Sequence, residues 1–366
     1  MDPIYSVPVD KIHVARDPFV ALVGSQLLGQ LGKRARKFLP GDTCAIVTDT
    51  NVGRFFASRV KLSLTSAGFK PTVITIPAGE KSKTLKQAGA ICEKMIAAGL
   101  DRQSFVIGLG GGMIGDLSGF VAAIYKRGIP HIQIPTTLLA MVDSSIGGKT
   151  GVDTRAGKNL IGAFHPPSLV IDDVDVLKCL PRRQFNQGFA EIIKHAVIAD
   201  AKMLRQLQSL GPRLAWQPHA IQQLVCRNIR LKSKIVAQDK YDRTGKRAVL
   251  NFGHTVGHAI ERAGTYRQFL HGEAVSLGIV AACAISVERA GLSTKQRDAV
   301  VDLLRRFGLP TRLPRKFQRR KIFEALKFDK KFQGGKIRFI VTPKIGAACV
   351  ADNITLDDIR EAVAEL

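Results

Sequence analysis

The chain has 366 residues, of which 45% are apolar and 23% charged. That size and composition allow a sizeable core in two domains and exclude disorder, a collagen-like repeat and a membrane bundle. Lysine and arginine number 55 against 30 acidic residues, a formal net charge of +25, so the favoured partners are anionic, either nucleic acid or phosphorylated metabolites.

The six cysteines, at 44, 92, 179, 226, 283 and 349, form no C-x-x-C pair, which speaks against a disulfide framework or a thiolate zinc knuckle and for buried thiols. The opening MDPIYSVPVD carries acids where a secretory signal has a basic and then an apolar region. The most apolar run, residues 275–287, is shorter than the ~18 residues a membrane span needs. These features point to the cytoplasm and to no membrane partner.

In chain order, residues 44–47 read as a strand before a TDTN turn, and the β-branched run 72–76 leads through Pro77 and Gly79 to a helical pattern over 84–100. Residues 104–109 form the next strand. Gly110-Gly111-Gly112-Met113-Ile114-Gly115-Asp116 follows it, fits G-x-G-x-x-G and opens a helical pattern, so its backbone suits a pyrophosphate at a helix start. The acid expected ~20 residues later is absent, with none between Asp116 and Asp143, so a tight strand-to-helix turn remains the alternative. A strand over 131–134 runs into Pro135-Thr136-Thr137. Asp143-Ser-Ser-Ile-Gly-Gly-Lys149-Thr and the pair Lys158-Asn159 then read as anion-binding loop chemistry. A Walker loop would need glycine where Asp143 stands. Residues 169–171 are the last strand of this alternating pattern, which predicts an α/β domain with a parallel sheet over residues 1–175.

Helical patterns then dominate, over 184–198, 219–238, 255–263, 272–290 and 295–307, giving a mainly helical second domain over 176–366. No repeat or low-complexity linker separates the halves, so the boundary is expected to carry a cleft. Between Arg312 and Arg338 stand eleven basic residues and two acids, Glu324 and Asp329, a run that reads as a solvated face. Glu191, Lys194 and His195 share one helical turn, either as a surface ion pair or as part of a site. Asn251-Phe-Gly-His254-Thr-Val-Gly-His258 puts two histidines one turn apart, and His271-Gly-Glu273 opens the next helix. Three histidines within 18 positions, with carboxylates nearby, suit a zinc site with an open position. Spacing alone pairs His254 with His258; the lack of a glutamate after the first histidine argues against a zincin protease.

Taken together, GGGMIGD, IPTTLLAMVDSSIGGKTGVD, GKNLIGAFHPP, GFAEIIKH, NFGHTVGHAIE, HGEAVSLG and FDKK, in this order, resemble the 3-dehydroquinate synthase family over residues 49–346. The resemblance implies a homodimer of two-domain chains: an N-terminal NAD-binding α/β domain with a Rossmann-like parallel sheet, a helical metal-binding domain, and an active site between them. By motif, Glu191, His254 and His271 would hold one zinc or cobalt ion, overruling the spacing-only pair, and His258 would act near the substrate phosphate and in proton transfer. Cofactor contacts would fall on Asp49, Asn51, Glu80, Lys83, Gly111, Gly112, Met113, Ile114, Gly115, Asp116, Thr136, Thr137, Asp143, Lys149 and Lys158. Substrate contacts would fall on Lys149, Asn159, Lys194, Lys232, Arg247, Asn251, His258 and Lys330, with Arg127 of YKRG reaching toward the partner's active site.

The implied reaction makes the protein a carbon–oxygen lyase that turns 3-deoxy-D-arabino-heptulosonate 7-phosphate into 3-dehydroquinate and phosphate. It runs by NAD-dependent oxidation at C5, phosphate elimination, re-reduction, ring opening and an aldol closure. One block departs from the family pattern: Asp239-Lys-Tyr-Asp242-Arg-Thr-Gly-Lys-Arg247 stands where Asp-Glu-x-Glu usually precedes Gly-x-Arg, leaving Asp242 as the candidate acid. Other sugar-phosphate cyclases and metal-dependent polyol dehydrogenases share the scaffold. The presence of Lys232, Arg247 and Asn251 favours the shikimate substrate. With 6% aromatic residues and one tryptophan, no specific nucleic-acid reader is indicated.

Overall fold

A computed structural model describes residues 9–13, 20–211, 217–326, 332–333 and 336–366. The chain forms two compact units, Met1–Leu180 with Gln217–Ala237, and Pro181–Trp216 with Gln238–Leu366. The expected single cut at 175 therefore needs correction, because the helix Pro218–Val236 belongs to the first unit. Its apolar face, with Ile221, Leu224, Val225 and Ile229 buried, lies against the first two strands and the turn Val174–Cys179. Periodicity reveals such a face but not what it covers.

The strands of the first unit are β1 (Asp10–His13), β2 (Val20–Gly24), β3 (Thr43–Asp49), β4 (Lys70–Ile76), β5 (Phe105–Gly110), β6 (His131–Pro135), β7 (Lys149–Thr154), β8 (Gly157–Phe164) and β9 (Leu169–Asp173). Seven of them form one sheet in the order β1-β2-β9-β6-β5-β3-β4, parallel except for the β1–β2 pair. Every residue of β5 and β6 is buried, as in a parallel sheet covered on both faces. Against it pack Ala88, Ile91 and Met95 of the helix Leu85–Ala97 and Ile114, Leu117 and Val121 of the helix Gly112–Ile124. From β3 the chain moves outward to β4, then returns past β3 to β5 and continues outward the other way. The strand order thus reverses between β3 and β5, and the crevice outside their carboxyl ends is where open α/β sheets bind ligands.

β7 and β8 form a separate antiparallel hairpin. The segment read as anion-binding loop chemistry is thus a loop only in part: Lys149, Lys158 and Asn159 stand on strands, while Gly147 and Gly148 precede β7. Gly151 faces Gly162 across the hairpin, and a Cβ on Gly162 would lie 2.1 Å from the Thr150 carbonyl oxygen, so these glycines serve strand approach.

The second unit holds the helices Arg182–Ala199, Ala201–Leu210, His254–Ala263, His271–Ala290, Thr294–Arg306, Arg320–Leu326 and Leu356–Ala364. It also holds an antiparallel sheet of β10 (Phe332–Gln333), β11 (Lys336–Lys344) and β12 (Ala347–Ile354), which the helical expectation missed. Phe339, Ile340 and Val341 bury β11 against the helix His271–Ala290. Among the described residues no helix is long and apolar enough to cross a membrane.

Candidate active site

At the crevice of the first unit, β3 ends in Asp49, whose Oδ1 accepts from the backbone N–H groups of Asn51 and Val52 and so starts the helix Thr50–Thr65. β5 ends at Gly110, and Gly111, which has no side chain to cap with, precedes the helix Gly112–Ile124, whose first turn holds no acid. The N–H groups of that turn, with the positive end of the helix dipole, suit a pyrophosphate. The tight-turn reading also has its observation: a Cβ on Gly110 would lie 2.6 Å from Cβ of Ile114, so close packing of helix on strand requires glycine there as well. Thr136 donates its backbone N–H to the Gly110 carbonyl at 2.9 Å, and Thr137 Oγ1 accepts from Ala140 N, placing both threonines beside the turn.

Five nominated residues meet next to it. Lys83, 3% exposed, donates to Oδ2 of Asp116 at 2.6 Å and to Oδ1 of Asn159 at 2.5 Å, while Lys158 pairs with Glu80 at 3.5 Å. Burial opposes charge on the Lys83 ammonium, but Asp116 and Glu80 outweigh it and raise its pKa. The cluster ties the hairpin, through Lys158 and Asn159, to the start of the helix Gly112–Ile124. Asp143 lies in the turn Ala140–Ser144 and pairs with Lys232. Lys149, at the start of β7, is exposed, as is Arg127, which sits at φ +70 in the turn Tyr125–Arg127.

In the second unit Glu191 and Lys194 are fully buried, which removes the surface-ion-pair alternative. Lys194 contacts Oε2 of Glu191 through its ammonium. Toward Oε1 point Nε2 of His254 at 3.5 Å and Nε2 of His271 at 3.7 Å. These separations are too long for good hydrogen bonds, and among the described residues neither Glu191 oxygen has a donor in hydrogen-bonding geometry. They match the edge of a tetrahedral site, since donors ~2.0–2.2 Å from an ion stand ~3.3–3.6 Å apart. A buried carboxylate and two imidazole nitrogens converging in this way fit a divalent ion with nitrogen and oxygen ligands.

Local sequence explains the convergence. Gly253, at φ +77, turns the chain so that His254 is the first residue of its helix, and a Cβ there would lie 2.8 Å from Ile279 N. Beside His271, the first residue of the next helix, Gly272 lies so close to the helix Arg182–Ala199 that a Cβ would sit 2.2 Å from the Gln187 carbonyl oxygen. Burial would push the Glu191 carboxyl up, but Lys194 and the two imidazoles hold it well below the usual carboxylate range. Burial and the Lys194 ammonium push His254 well below its ordinary value, which favours the neutral form that a metal ligand needs. Burial works against charge on His271 too, but the carboxylates of Glu261 and Glu191 outweigh it and lift that ring to about 10.

The spacing-only pair is also close, with the His254 and His258 rings 5.2 Å apart, and His258 is exposed. Sequence reasoning did not single out Glu261, whose Oε2 lies 3.2 Å from Nδ1 of His271. A face running His254, His258, Glu261 at i, i+4, i+7 was the available signal. In the block that opens with Asp239, only Asp242 was singled out. Asp239 is buried and accepts from the backbone N–H groups of Arg243, Thr244 and Arg247, shaping the loop that presents Arg247. Asp242, the nominated acid, is exposed in that loop at φ +55. Asn251 ends the short helix Lys246–Asn251 just before Gly253. Lys330 lies outside the described residues.

Residues 73–187 match the family described as 3-dehydroquinate synthase N-terminal, and residues 188–332 the one described as 3-dehydroquinate synthase C-terminal. A 3-dehydroquinate synthase from Symbiobacterium thermophilum is 44% identical over 353 residues, covering 95% of this chain and 98% of that one. Among solved structures, 2-epi-5-epi-valiolone synthase from Streptomyces hygroscopicus subsp. jinggangensis, with NAD+ and Zn2+ bound, is similar at TM-score 0.86 and 27% identity, covering 98% of both chains. A 2-deoxy-scyllo-inosose synthase complexed with carbaglucose-6-phosphate, NAD+ and Co2+ is similar at TM-score 0.88 and 25% identity, covering 98% of this chain and 100% of that one.

Proposed function

The chain belongs to the 3-dehydroquinate synthase family, and we propose that it converts 3-deoxy-D-arabino-heptulosonate 7-phosphate to 3-dehydroquinate and phosphate in a redox-neutral cycle, as a carbon–oxygen lyase. The observation that carries the reading is the convergence of the buried Glu191 and His254 with the partly exposed His271. That set would hold zinc or cobalt, and the Gly111–Gly115 turn with Asp49, Lys83, Asp116, Thr136, Thr137 and Asp143 would hold NAD. When bound, NAD supplies a hydride acceptor that is restored within the cycle, and the divalent ion supplies Lewis-acid polarisation of substrate hydroxyls.

The residues of the chain bind and orient. Lys149, Asn159, Lys194, Lys232, Arg247 and Asn251 would hold the phosphate at one end of the substrate and the carboxylate at the other, through charge-assisted hydrogen bonds. Lys194 contacts Glu191 and so brings a fixed cation next to the carboxylate of the metal set. His258, exposed beside that set, would carry a proton to or from the substrate phosphate. Arg127 would complete the partner's site in a homodimer, and a cytoplasmic location follows from a charged substrate and cofactor that do not cross membranes unaided.

The two solved structures are named for other compounds, 2-epi-5-epi-valiolone and 2-deoxy-scyllo-inosose, but 44% identity to a 3-dehydroquinate synthase against 27% and 25% to those two favours the shikimate substrate. Phosphate release from the heptulosonate with catalytic NAD, followed at 340 nm before and after chelation, tests this. Turnover beyond the NAD present, without net NADH and lost on chelation, is the expected result. Net NADH would make the chain a dehydrogenase, and no reaction would redirect the assignment to another sugar phosphate.

A further inference from the structure

We propose that Glu261 is a positioning residue of the metal centre, fixing the tautomer and ring orientation of His271 so that Nε2 is the nitrogen that ligates. The inference rests on reading Glu191, His254 and His271 as the metal ligands, and it adds to them a residue that touches no reacting atom. Glu261 is 4% exposed, and its Oε2 lies 3.2 Å from Nδ1 of His271, while Nε2 on the other side of the ring faces Glu191 at 3.7 Å. A neutral imidazole has one protonated nitrogen and one lone pair. A carboxylate at Nδ1 draws the proton there and leaves Nε2 to donate its pair.

His254 is oriented in the same sense by a weaker acceptor, since its Nδ1 lies 3.2 Å from the Phe252 carbonyl oxygen. The two imidazoles are therefore not equivalent, and the one backed by a full negative charge is the more basic donor. Glu261 stands seven residues, or two turns, after His254, so the helix that supplies one ligand also orients the other. His258, Glu261 and His271 also come within reach of a common ion. Glu261 as a ligand there would have to share or surrender its bond to His271.

The test uses the full-length, metal-depleted protein, with zinc titrated against a chromophoric chelator in wild type, E261Q, E191Q and H254A, and NAD affinity measured in parallel as a check of the fold. Zinc affinity about 10–100-fold weaker in E261Q, with a larger loss in E191Q and H254A and unchanged NAD affinity, is the result expected. Wild-type zinc affinity in E261Q, with E191Q and H254A impaired, overturns the positioning role and leaves the ligand set standing. A loss in E261Q as complete as in E191Q, with H254A unaffected, makes Glu261 a ligand and overturns it too. Unchanged affinity in both E191Q and H254A removes the metal centre and the positioning role together. If E261Q does not fold, E261D, whose reach to Nδ1 is shorter by one methylene, is expected to weaken zinc in the same direction, and wild-type affinity in it overturns the proposal.

Discussion

Nζ of Lys232 lies 2.7 Å from Oδ1 of Asp143 and 2.5 Å from the backbone carbonyl oxygen of the same residue. A cation expected at the substrate and an acid expected at the cofactor thus form one charge pair within the first unit. Lys232→Met removes the cation beside a carboxylate whose side chain keeps 24% of its surface exposed. The expected cost is about 1–3 kcal/mol, below the ~3–5 kcal/mol for breaking a fully buried pair. NAD affinity and KM for the sugar phosphate are expected to worsen together. An NAD titration beside steady-state kinetics reads both, and an unchanged NAD affinity would uncouple the two roles.

A ligand that binds only the folded chain stabilises it by mass action. Zinc at a hundredfold excess over its Kd is expected to raise the unfolding free energy of metal-depleted protein by about 2.7 kcal/mol. Denaturant titrations with and without the ion measure this gain, which E191Q and H254A should lack. A full gain in E191Q would move the ion away from Glu191.

Gly272→Ala places a methyl group where the Gln187 carbonyl oxygen lies 2.2 Å away. The two helices must separate, at a cost of about 1–3 kcal/mol typical of overpacking. Because His271 starts the displaced helix, zinc affinity is expected to fall in the same variant. Retention of both stability and affinity would show that the helices accommodate the methyl group without moving the ligand.

His131 is fully buried, stacks on His165 at 5.1 Å, and has no hydrogen-bond partner at either ring nitrogen among the described residues. Burial, and then His165, push its pKa down to about 3. The unfolded chain takes up a proton near pH 6.5 and the folded chain does not, so this group adds no penalty above that pH. Stability falls as pH drops from about 6.5 toward 3, by at most ~1.4 kcal/mol per unit from this residue. His131→Phe is expected to flatten that part of the profile. Equal slopes for wild type and variant between pH 6.5 and 4.5, by denaturant titration, would refute it.

Five strands of the first unit, β3, β4, β5, β6 and β9, were legible, β5 and β6 because burial on both faces makes them continuous apolar runs, whereas β1 and β2 were not read. The hairpin was not, because KTGVDT and GKNLIGAF carry glycines, lysines and an asparagine that propensity assigns to loops, and only pairing in register makes them strands. The helix Pro218–Val236 was legible as a helix but not as part of the first unit, since an apolar stripe does not name its partner. Spacing nominated His254 with His258, one turn apart on a single helix. The residues that face Glu191 are brought together by contacts between three helices, set by Gly253 and Gly272, which a linear pattern does not encode.

His254 and His271 are each the first residue of a helix, so two helix amino termini, each carrying ~+0.5 of a unit charge, converge on the place a cation would occupy. That polarity works against retention of the ion and is offset by the buried negative charges of Glu191 and Glu261. It would favour a substrate oxygen that gained negative charge beside a bound ion. With an ion and substrate bound, the same scaffold would favour the alkoxide over the alcohol, a bias set by the direction in which the two helices run.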